Sequence, residues 1–314
     1  HRALDGAQEQ SKSDKMQIGT TKRGIGPCYS DKATRSGIRA ADLLDEDRLR
    51  NRIEMALPQK NRELAYFGLK EYTVDEIMGL CKKWKETYGD KIIDTLPVVR
   101  QAYEEGRKIL LEGQLGVMRD LDWGIYPYTT SSSPTSGGAA IGSGLGPSRI
   151  DEVIGVTKVY STSVGGGPFM TELFDENAEK LRAVGGEYGA TTGRPRRCGW
   201  FDAVATEFSC WINGFTSIAL TKLDVLDGFE KIKVCTGYRV NGEVINYLPE
   251  TAQQEIAEPI YEEYDGWMSD TSNARKWDDL PKNAQIYCKR LAELVGAPIK
   301  FISVGPERDQ IIIM

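Results

Sequence analysis

Phe215-Thr-Ser-Ile-Ala-Leu-Thr-Lys-Leu-Asp224 decides the fold class. The run through Ile218-Ala-Leu220 is short, apolar and bounded by polar residues, as a buried strand is. It delivers Thr221-Lys-Leu-Asp224 to the strand's carboxyl end, where α/β folds assemble ligand sites. Runs of the same kind occur at Lys108-Ile-Leu-Leu-Glu112, Val153 to Ser161, Lys231 to Val240 and Pro298 to Val304. Asn241-Gly242 separates two alternating segments and signals a tight hairpin, so the sheet is expected to be mixed.

Helical patterns interleave with these strands. Asp45 is placed to cap a helix that carries Leu49 and Ile53 on one face and that Pro58 should stop. Thr73-Val-Asp-Glu76 is a capping-box pattern ahead of Ile77, Leu80, Cys81 and Trp84, which read as a core stripe. A third helix has Pro97 in its first turn and runs to about Gly106. The last spans about Pro281 to Leu294, turns Ala284, Tyr287, Cys288 and Leu291 inward, and ends at Gly296. Gly19-Thr-Thr-Lys-Arg-Gly-Ile-Gly-Pro27 reads as a loop. The expectation is one α/β domain over residues 1–314, with a P-loop-like mixed, largely parallel sheet flanked by helices and a mainly helical insertion near residues 40–106.

Composition narrows the function classes. At 314 residues the chain can bury a large core, and no apolar run reaches the length of a membrane span. Forty basic against 46 acidic residues give a formal charge of −6, which speaks against a nucleic-acid-coating surface. Six cysteines without a Cys-x-x-Cys pair, and no apolar signal segment, fit a reducing cytoplasm. The single histidine, His1, stands at the chain end, so neither a His-based triad nor a His-rich zinc site can be built.

Three stretches carry chemistry. Gly189-Ala-Thr-Thr-Gly-Arg-Pro-Arg-Arg-Cys-Gly-Trp200 concentrates hydroxyls, guanidinium groups and a permissive glycine, a combination suited to carboxylate or phosphate oxygens. Tyr126-Pro-Tyr-Thr-Thr-Ser-Ser-Ser-Pro-Thr-Ser-Gly-Gly138, followed by Gly142-Ser-Gly-Leu-Gly-Pro147, is a candidate phosphate cradle of hydroxyls and backbone N–H groups. Asp224 could accept two hydrogen bonds from the ring N–H and amino group of guanine, a donor pair adenine lacks, while the Lys222 stem lies over the purine. Ser303-Val-Gly-Pro306 ends the last strand in a similar way. Asp120 and Asp122 are candidate acids or bases with no assigned role. A Walker-type Gly-x-x-x-x-Gly-Lys-Ser/Thr run is absent from the sequence.

In order along the chain, the Gly19 to Pro27 turn, Asp122 to Ser132, Gly142 to Pro147, Thr171-Glu-Leu-Phe-Asp175, Gly189 to Trp200 and Thr221-Lys-Leu-Asp-Val-Leu-Asp-Gly228 closely resemble adenylosuccinate synthetase. The resemblance implies a cytoplasmic, homodimeric ligase that joins L-aspartate to IMP with GTP and Mg2+, in two steps. Phosphoryl transfer to the purine 6-oxygen comes first, then displacement of that phosphate by the aspartate amine.

By the same resemblance, Thr21, Thr130 and Arg194 would hold IMP, with Gln114 or Leu115 beside it, and Arg35 would reach the partner subunit's IMP site. Val164, Ala190, Thr191, Thr192, Gly193, Arg194, Pro195 and Arg196 would surround aspartate. Arg196, Lys222, Leu223, Asp224, Ser303, Val304 and Gly305 would bind GTP.

The chain departs from the family pattern in places. Gly113-Gln-Leu-Gly116 replaces the usual Gly-Ala-Gln-Gly, Pro195 breaks the arginine run, and Ser163 stands where arginine is usual. The family's Gly-Asp-Glu-Gly-Lys-Gly-Lys loop, with its GTP-phosphate and magnesium contacts, catalytic aspartate and later histidine, is not in this sequence. The expectation is therefore a fragment that binds substrates but is inactive alone, with Mg2+ ligands and catalytic residues in an upstream segment. The rival expectation is a catalytically inactive nucleotide-binding or regulatory paralogue.

Overall fold

The structure, a computed structural model, describes residues 1–13, 17–189 and 193–314. These form two compact units, His1–Pro134 with Gly138–Gly146, and Thr135–Gly137 with Pro147–Met314.

The first unit is helical. Its elements are α1 (Arg2–Ser11), α2 (Ile25–Thr34), α3 (Glu46–Tyr66), α4 (Val74–Tyr88), α5 (Thr95–Glu104) and most of α6 (Ser136–Ser143). Asp45 caps α3 by accepting the Arg48 N–H at 3.0 Å, and Thr73 and Glu76 close the expected capping box on α4. Leu49, Ile53 and Cys81 form the buried seam between α3 and α4.

The helix does not stop at Pro58. Beyond it, Asn61 pairs with both backbone groups of Tyr72 (3.0 and 2.7 Å), Lys60 reaches Asp31 at 2.7 Å, and Leu64 is buried. Those tertiary contacts carry α3 through the backbone break that proline imposes. Leu80 and Trp84 also depart from expectation, since both are exposed and only Cys81 of that stripe is fully buried.

Two further expectations in this unit are corrected. Lys108 to Glu112 is no strand, and Leu110 is 88% exposed. The run has strand-forming residue types, but among the described residues no neighbour gives its backbone a ladder. The Gly19 to Pro27 loop ends early, because Ile25, Gly26 and Pro27 already form the first turn of α2, where proline has no N–H to lose.

The second unit holds the sheets. In chain order come β1 (Ile154–Lys158), β2 (Ser161–Ser163), α7 (Glu176–Val184), β3 (Arg197–Gly199), β4 (Phe201–Asp202), α8 (Ala203–Asn213) and β5 (Ser217–Thr221). They are followed by β6 (Lys231–Val240), β7 (Glu243–Ile245), α9 (Thr251–Gln254), β8 (Glu258–Asp265), α10 (Lys282–Val295), β9 (Ile299–Ser303) and β10 (Ile311–Ile313).

The main sheet has the order β1-β5-β9-β10, with the first three parallel and β10 antiparallel. It is thus mixed and largely parallel, as expected. Ile218 and Leu220 of β5 and Ile302 of β9 are buried with Tyr287 and Leu291 of α10 and Leu181 of α7 in one core. All four inward residues expected of α10 are buried, and Gly296 ends the helix at φ 70°.

The Asn241-Gly242 hairpin exists, but in a different sheet from the main one. β6 pairs parallel with β4 and antiparallel with β7 and β8. Asn241 and Gly242 take φ of 51° and 87°, the left-handed pair a two-residue turn of this hand requires. A register shift between Cys235 and Gly237 inverts the alternation along β6. Ile232 and Val234 therefore join the main core, whereas Cys235, Tyr238 and Val240 form a second cluster.

Candidate functional site

The carboxyl ends of β1, β5 and β9 lie side by side, with Lys158 opposite Thr221 and Leu220 opposite Ile302. Lys158 ends β1, Thr221-Lys-Leu-Asp224 leaves β5, and Ser303-Val-Gly305 leaves β9. Lys222 turns the chain at φ 64°, after which Leu223–Leu226 makes a short 3-10 turn. Leu223, Val225 and Leu226 are buried, which anchors Asp224 between them on a fixed backbone.

Oδ1 of Asp224 is buried and meets no hydrogen-bond partner among the described residues. Burial raises the carboxyl above its ordinary range, and the nearby Asp227 adds to the effect. A buried acceptor without a donor costs free energy that a ligand's N–H can recover. Asp227 itself is fully engaged, accepting Trp267 Nε1 at 2.6 Å, Thr271 N–H at 2.7 Å and the Thr271 hydroxyl at 2.9 Å. On β9's side, Val304 is buried and its N–H donates to the Gln310 carbonyl, while the Ser303 hydroxyl donates to the Gly305 carbonyl.

The anion loop has a built base. Gly189 N–H donates to the Arg194 carbonyl at 2.8 Å, Gly193 N–H to the Gly189 carbonyl at 2.7 Å, and Arg196 N–H to the Glu187 carbonyl at 2.9 Å. Gly193 sits at φ 64°. Arg194 and Pro195 are exposed and Arg196 is half-buried. Ala190, Thr191 and Thr192, expected to read aspartate, lie outside the described residues.

Glu187 is the hub beneath this loop. Its side chain is fully buried and receives Arg196 Nη1 at 2.6 Å and Lys158 Nζ at 2.8 Å on Oε2. Oε1 receives the Tyr160 hydroxyl at 2.5 Å and faces Lys222 Nζ at 3.3 Å. Burial opposes ionisation, but hydrogen bonds from Lys158, Tyr160 and Arg196 outweigh it and hold the carboxyl down at about 2. Lys158 is lowered, chiefly by burial. Lys222 also donates to the Gly185 carbonyl.

Arg197 shapes the neighbouring loop. It pairs through Nε and Nη2 with the two Glu172 oxygens, and its Nη1 donates to the Gly165 and Gly167 carbonyls at 3.3 and 2.9 Å. Ser163 stands opposite Arg197 in the β2–β3 pair, and Val164, 43% exposed, follows it.

The expected residues Thr21, Arg35, Gln114, Leu115 and Thr130 belong to the helical unit. Two carboxylates of α1 shape the turn before Thr21. Asp5 accepts the Thr20 hydroxyl at 3.0 Å and Gly24 N–H at 2.8 Å, while Glu9 accepts Gly19 N–H at 2.6 Å. Thr21 is left exposed. Arg35 ends α2 at φ 65°, exposed. Leu115 is 61% exposed at φ 72°, and Gln114 is exposed beside it.

Asp120, fully buried, organises the hydroxyl-rich loop. It accepts Asp122 N–H at 2.9 Å, Trp123 N–H at 3.1 Å and the Ser133 hydroxyl at 2.5 Å. Thr130 N–H donates to the Arg119 carbonyl at 2.9 Å, which fixes its place in the same loop.

Sequence reasoning missed Glu187, Lys158, Asp5, Glu9 and the Glu172–Arg197 pair. Glu187 had a usable signal, being the acid two residues before a basic loop. The others are joined to their partners only by folding.

The adenylosuccinate synthetase family model matches residues 1–312. The chain is 48% identical to the adenylosuccinate synthetase of Carboxydothermus hydrogenoformans, covering 100% of this chain and 74% of that one. It is 50% identical to that of Trichlorobacter lovleyi, over 99% and 72%. The structure of fully ligated adenylosuccinate synthetase from Plasmodium falciparum superimposes with a TM-score of 0.93 at 39% identity, covering 100% of this chain and 75% of that one. On the match of model, sequence and structure alike, the chain belongs to the adenylosuccinate synthetase family.

Proposed function

We propose that this chain serves the GTP-dependent ligation of L-aspartate to IMP, with guanine read by Asp224. The orphaned, buried Oδ1 of Asp224 carries the reading. Guanine offers a ring N–H and an amino N–H side by side, and a carboxylate can accept both. Lys222, Leu223, Ser303, Val304 and Gly305 supply the walls of the base site, and Arg196 stands at its edge.

In this reading the γ-phosphoryl group of GTP passes to the 6-oxygen of IMP, leaving GDP. The aspartate amine then attacks C6, the C–N bond forms, the C–O bond breaks, and phosphate departs to give adenylosuccinate. Thr21, Thr130 and Arg194 hold the IMP side, with Gln114 and Leu115 at the purine. Val164, Gly193, Arg194, Pro195 and Arg196 are the described residues assigned to aspartate, whose carboxylates match guanidinium forks. Arg35 reaches a second subunit's IMP in a homodimer.

Magnesium, which this family uses, neutralises phosphate charge in such transfers. Among the described residues no three His, Cys, Asp or Glu side chains group to hold a cation, so no step is assigned through it. Also among them, no helix is long and apolar enough to cross a membrane, and a cytoplasmic location suits the proposed chemistry.

Calorimetric titration with GTP and with ATP tests the reading. Wild type should prefer GTP, and Asp224→Ala should erase the preference. Equal affinity for both nucleotides in wild type would refute it.

A further inference from the structure

Glu187 contacts three cations that come from different parts of the second unit. Lys158 is the last residue of β1, Lys222 follows β5, and Arg196 closes the anion loop. Their side chains are 22%, 35% and 28% exposed respectively, so each charged head is partly withdrawn from water onto one buried carboxylate. One negative charge cannot neutralise three positive ones, so the cluster keeps an excess of positive charge. Moving any one cation changes the field felt by the other two, and in a poorly screened interior that influence is stronger than in water.

The backbone is tied into the same arrangement. Arg196 N–H donates to the Glu187 carbonyl, Arg182 Nε donates to the Arg196 carbonyl at 3.0 Å, and Lys222 donates to the Gly185 carbonyl. The Tyr160 hydroxyl fixes Oε1 from below, and Tyr160 is itself 2% exposed. The carboxylate is thus held in one rotamer while its cation partners retain part of their exposure.

We infer that Glu187 is a positioning residue that couples the guanine-nucleotide site to the aspartate loop, by holding Lys222 and Arg196 on a single buried carboxylate. The inference rests on the guanine and aspartate assignments proposed above. When GTP draws Lys222 toward the base, Oε1 loses a cation and Glu187 holds Arg196 and Lys158 more tightly. That presets Arg196 for a carboxylate ligand. The influence is reciprocal, because a coupling free energy is the same from either site.

Glu187→Gln keeps the shape and volume of the side chain, removes its charge and leaves one acceptor oxygen in place of two. A packing role would survive this change; a coupling role would not. The measurement is the dissociation constant at the guanine-nucleotide site, taken by calorimetry with a non-hydrolysable GTP analogue in place of GTP so that nothing turns over, with and without saturating L-aspartate and with IMP present throughout.

Wild type should bind the analogue at least threefold tighter when aspartate is present. In Glu187→Gln that ratio should fall to one, with its circular dichroism spectrum retained. A ratio unchanged in Glu187→Gln, or a ratio of one in wild type, overturns the inference.

Should Glu187→Gln fail to fold, Lys222→Gln gives a second test. With IMP present and no guanine nucleotide, its L-aspartate affinity should differ from wild type by threefold or more. An unchanged affinity overturns the inference while leaving the guanine assignment standing. A wild type that shows no preference for GTP over ATP overturns that assignment and this inference with it.

Discussion

The Tyr238 hydroxyl donates at 2.7 Å to Asp202 Oδ1, the same oxygen that accepts Ala205 N–H at 3.0 Å and so caps α8. Asp202 joins β4 directly to α8 and is 6% exposed, and among the described residues no cation donates to its carboxylate. Burial drives its carboxyl up to about 6, against the pull of the Ala205 and Tyr238 hydrogen bonds.

A carboxyl raised in the folded state binds its proton more tightly there than in the unfolded chain. Its contribution therefore favours folding at low pH and is lost as pH rises through the folded value. Ionising Asp202 costs folding about 3 kcal/mol at neutral pH. Asparagine keeps the cap and accepts the Tyr238 hydroxyl without a charge. Asp202→Asn should thus raise Tm at pH 7.5 by several degrees and flatten the stability profile between pH 4 and 6, as calorimetric melts would show. A lower Tm at pH 7.5 would contradict this.

Glu187 behaves with the opposite sign. Its carboxyl is lowered to about 2, so its contribution is present above the unfolded value and lost as pH falls toward 2. Acid unfolding followed by circular dichroism should start at higher pH in Glu187→Asp, whose shorter side chain cannot reach all of its partners. Coincident acid transitions would argue against that contribution.

Asp120→Ala removes the acceptor for two backbone N–H groups and the Ser133 hydroxyl at a fully buried position. Orphaned donors cost about 1–3 kcal/mol each. Because Thr130 lies in the loop these bonds organise, IMP affinity should fall by roughly tenfold or more. Asp120→Asn, which retains one acceptor oxygen, should lose less. Titration of both variants with IMP checks the order.

Arg197→Lys replaces a planar fork by a single ammonium. The paired contact to Glu172 and the hold on the Gly165 and Gly167 carbonyls cannot both be kept. Urea unfolding should show a loss on the order of 1–3 kcal/mol, accompanied by weaker L-aspartate binding through the displaced Val164 loop. Stability equal to wild type would contradict the role given to the fork.

The sequence made some of this legible and not the rest, for physical reasons. Capping at Asp45 and Thr73, the Asn241-Gly242 turn and the inward face of α10 are local, set by residues within a few positions of one another. The three parallel strands of the main sheet were readable as short runs bounded by polar residues, whereas β10 was not read, being only three residues long. Lys108 to Glu112 misled because an apolar run specifies strand residues but not a partner strand. Pro58 misled because the contacts of Lys60, Asn61 and Leu64 that sustain the helix past it are tertiary. At the site, the motifs on Lys222, Asp224 and Arg196 were visible, whereas the convergence on Glu187 spans Lys158 to Lys222 and exists only once β1, β5 and the loop base are assembled.

The proposal that Asp224 recognises guanine is tested most directly by a crystal structure of this protein with GDP. The predicted result is a guanine whose N1 and exocyclic nitrogen both lie about 2.7–3.2 Å from the Asp224 carboxylate, with Lys222 along the purine face. A base bound elsewhere, or one that leaves Oδ1 of Asp224 without a donor, would contradict the account.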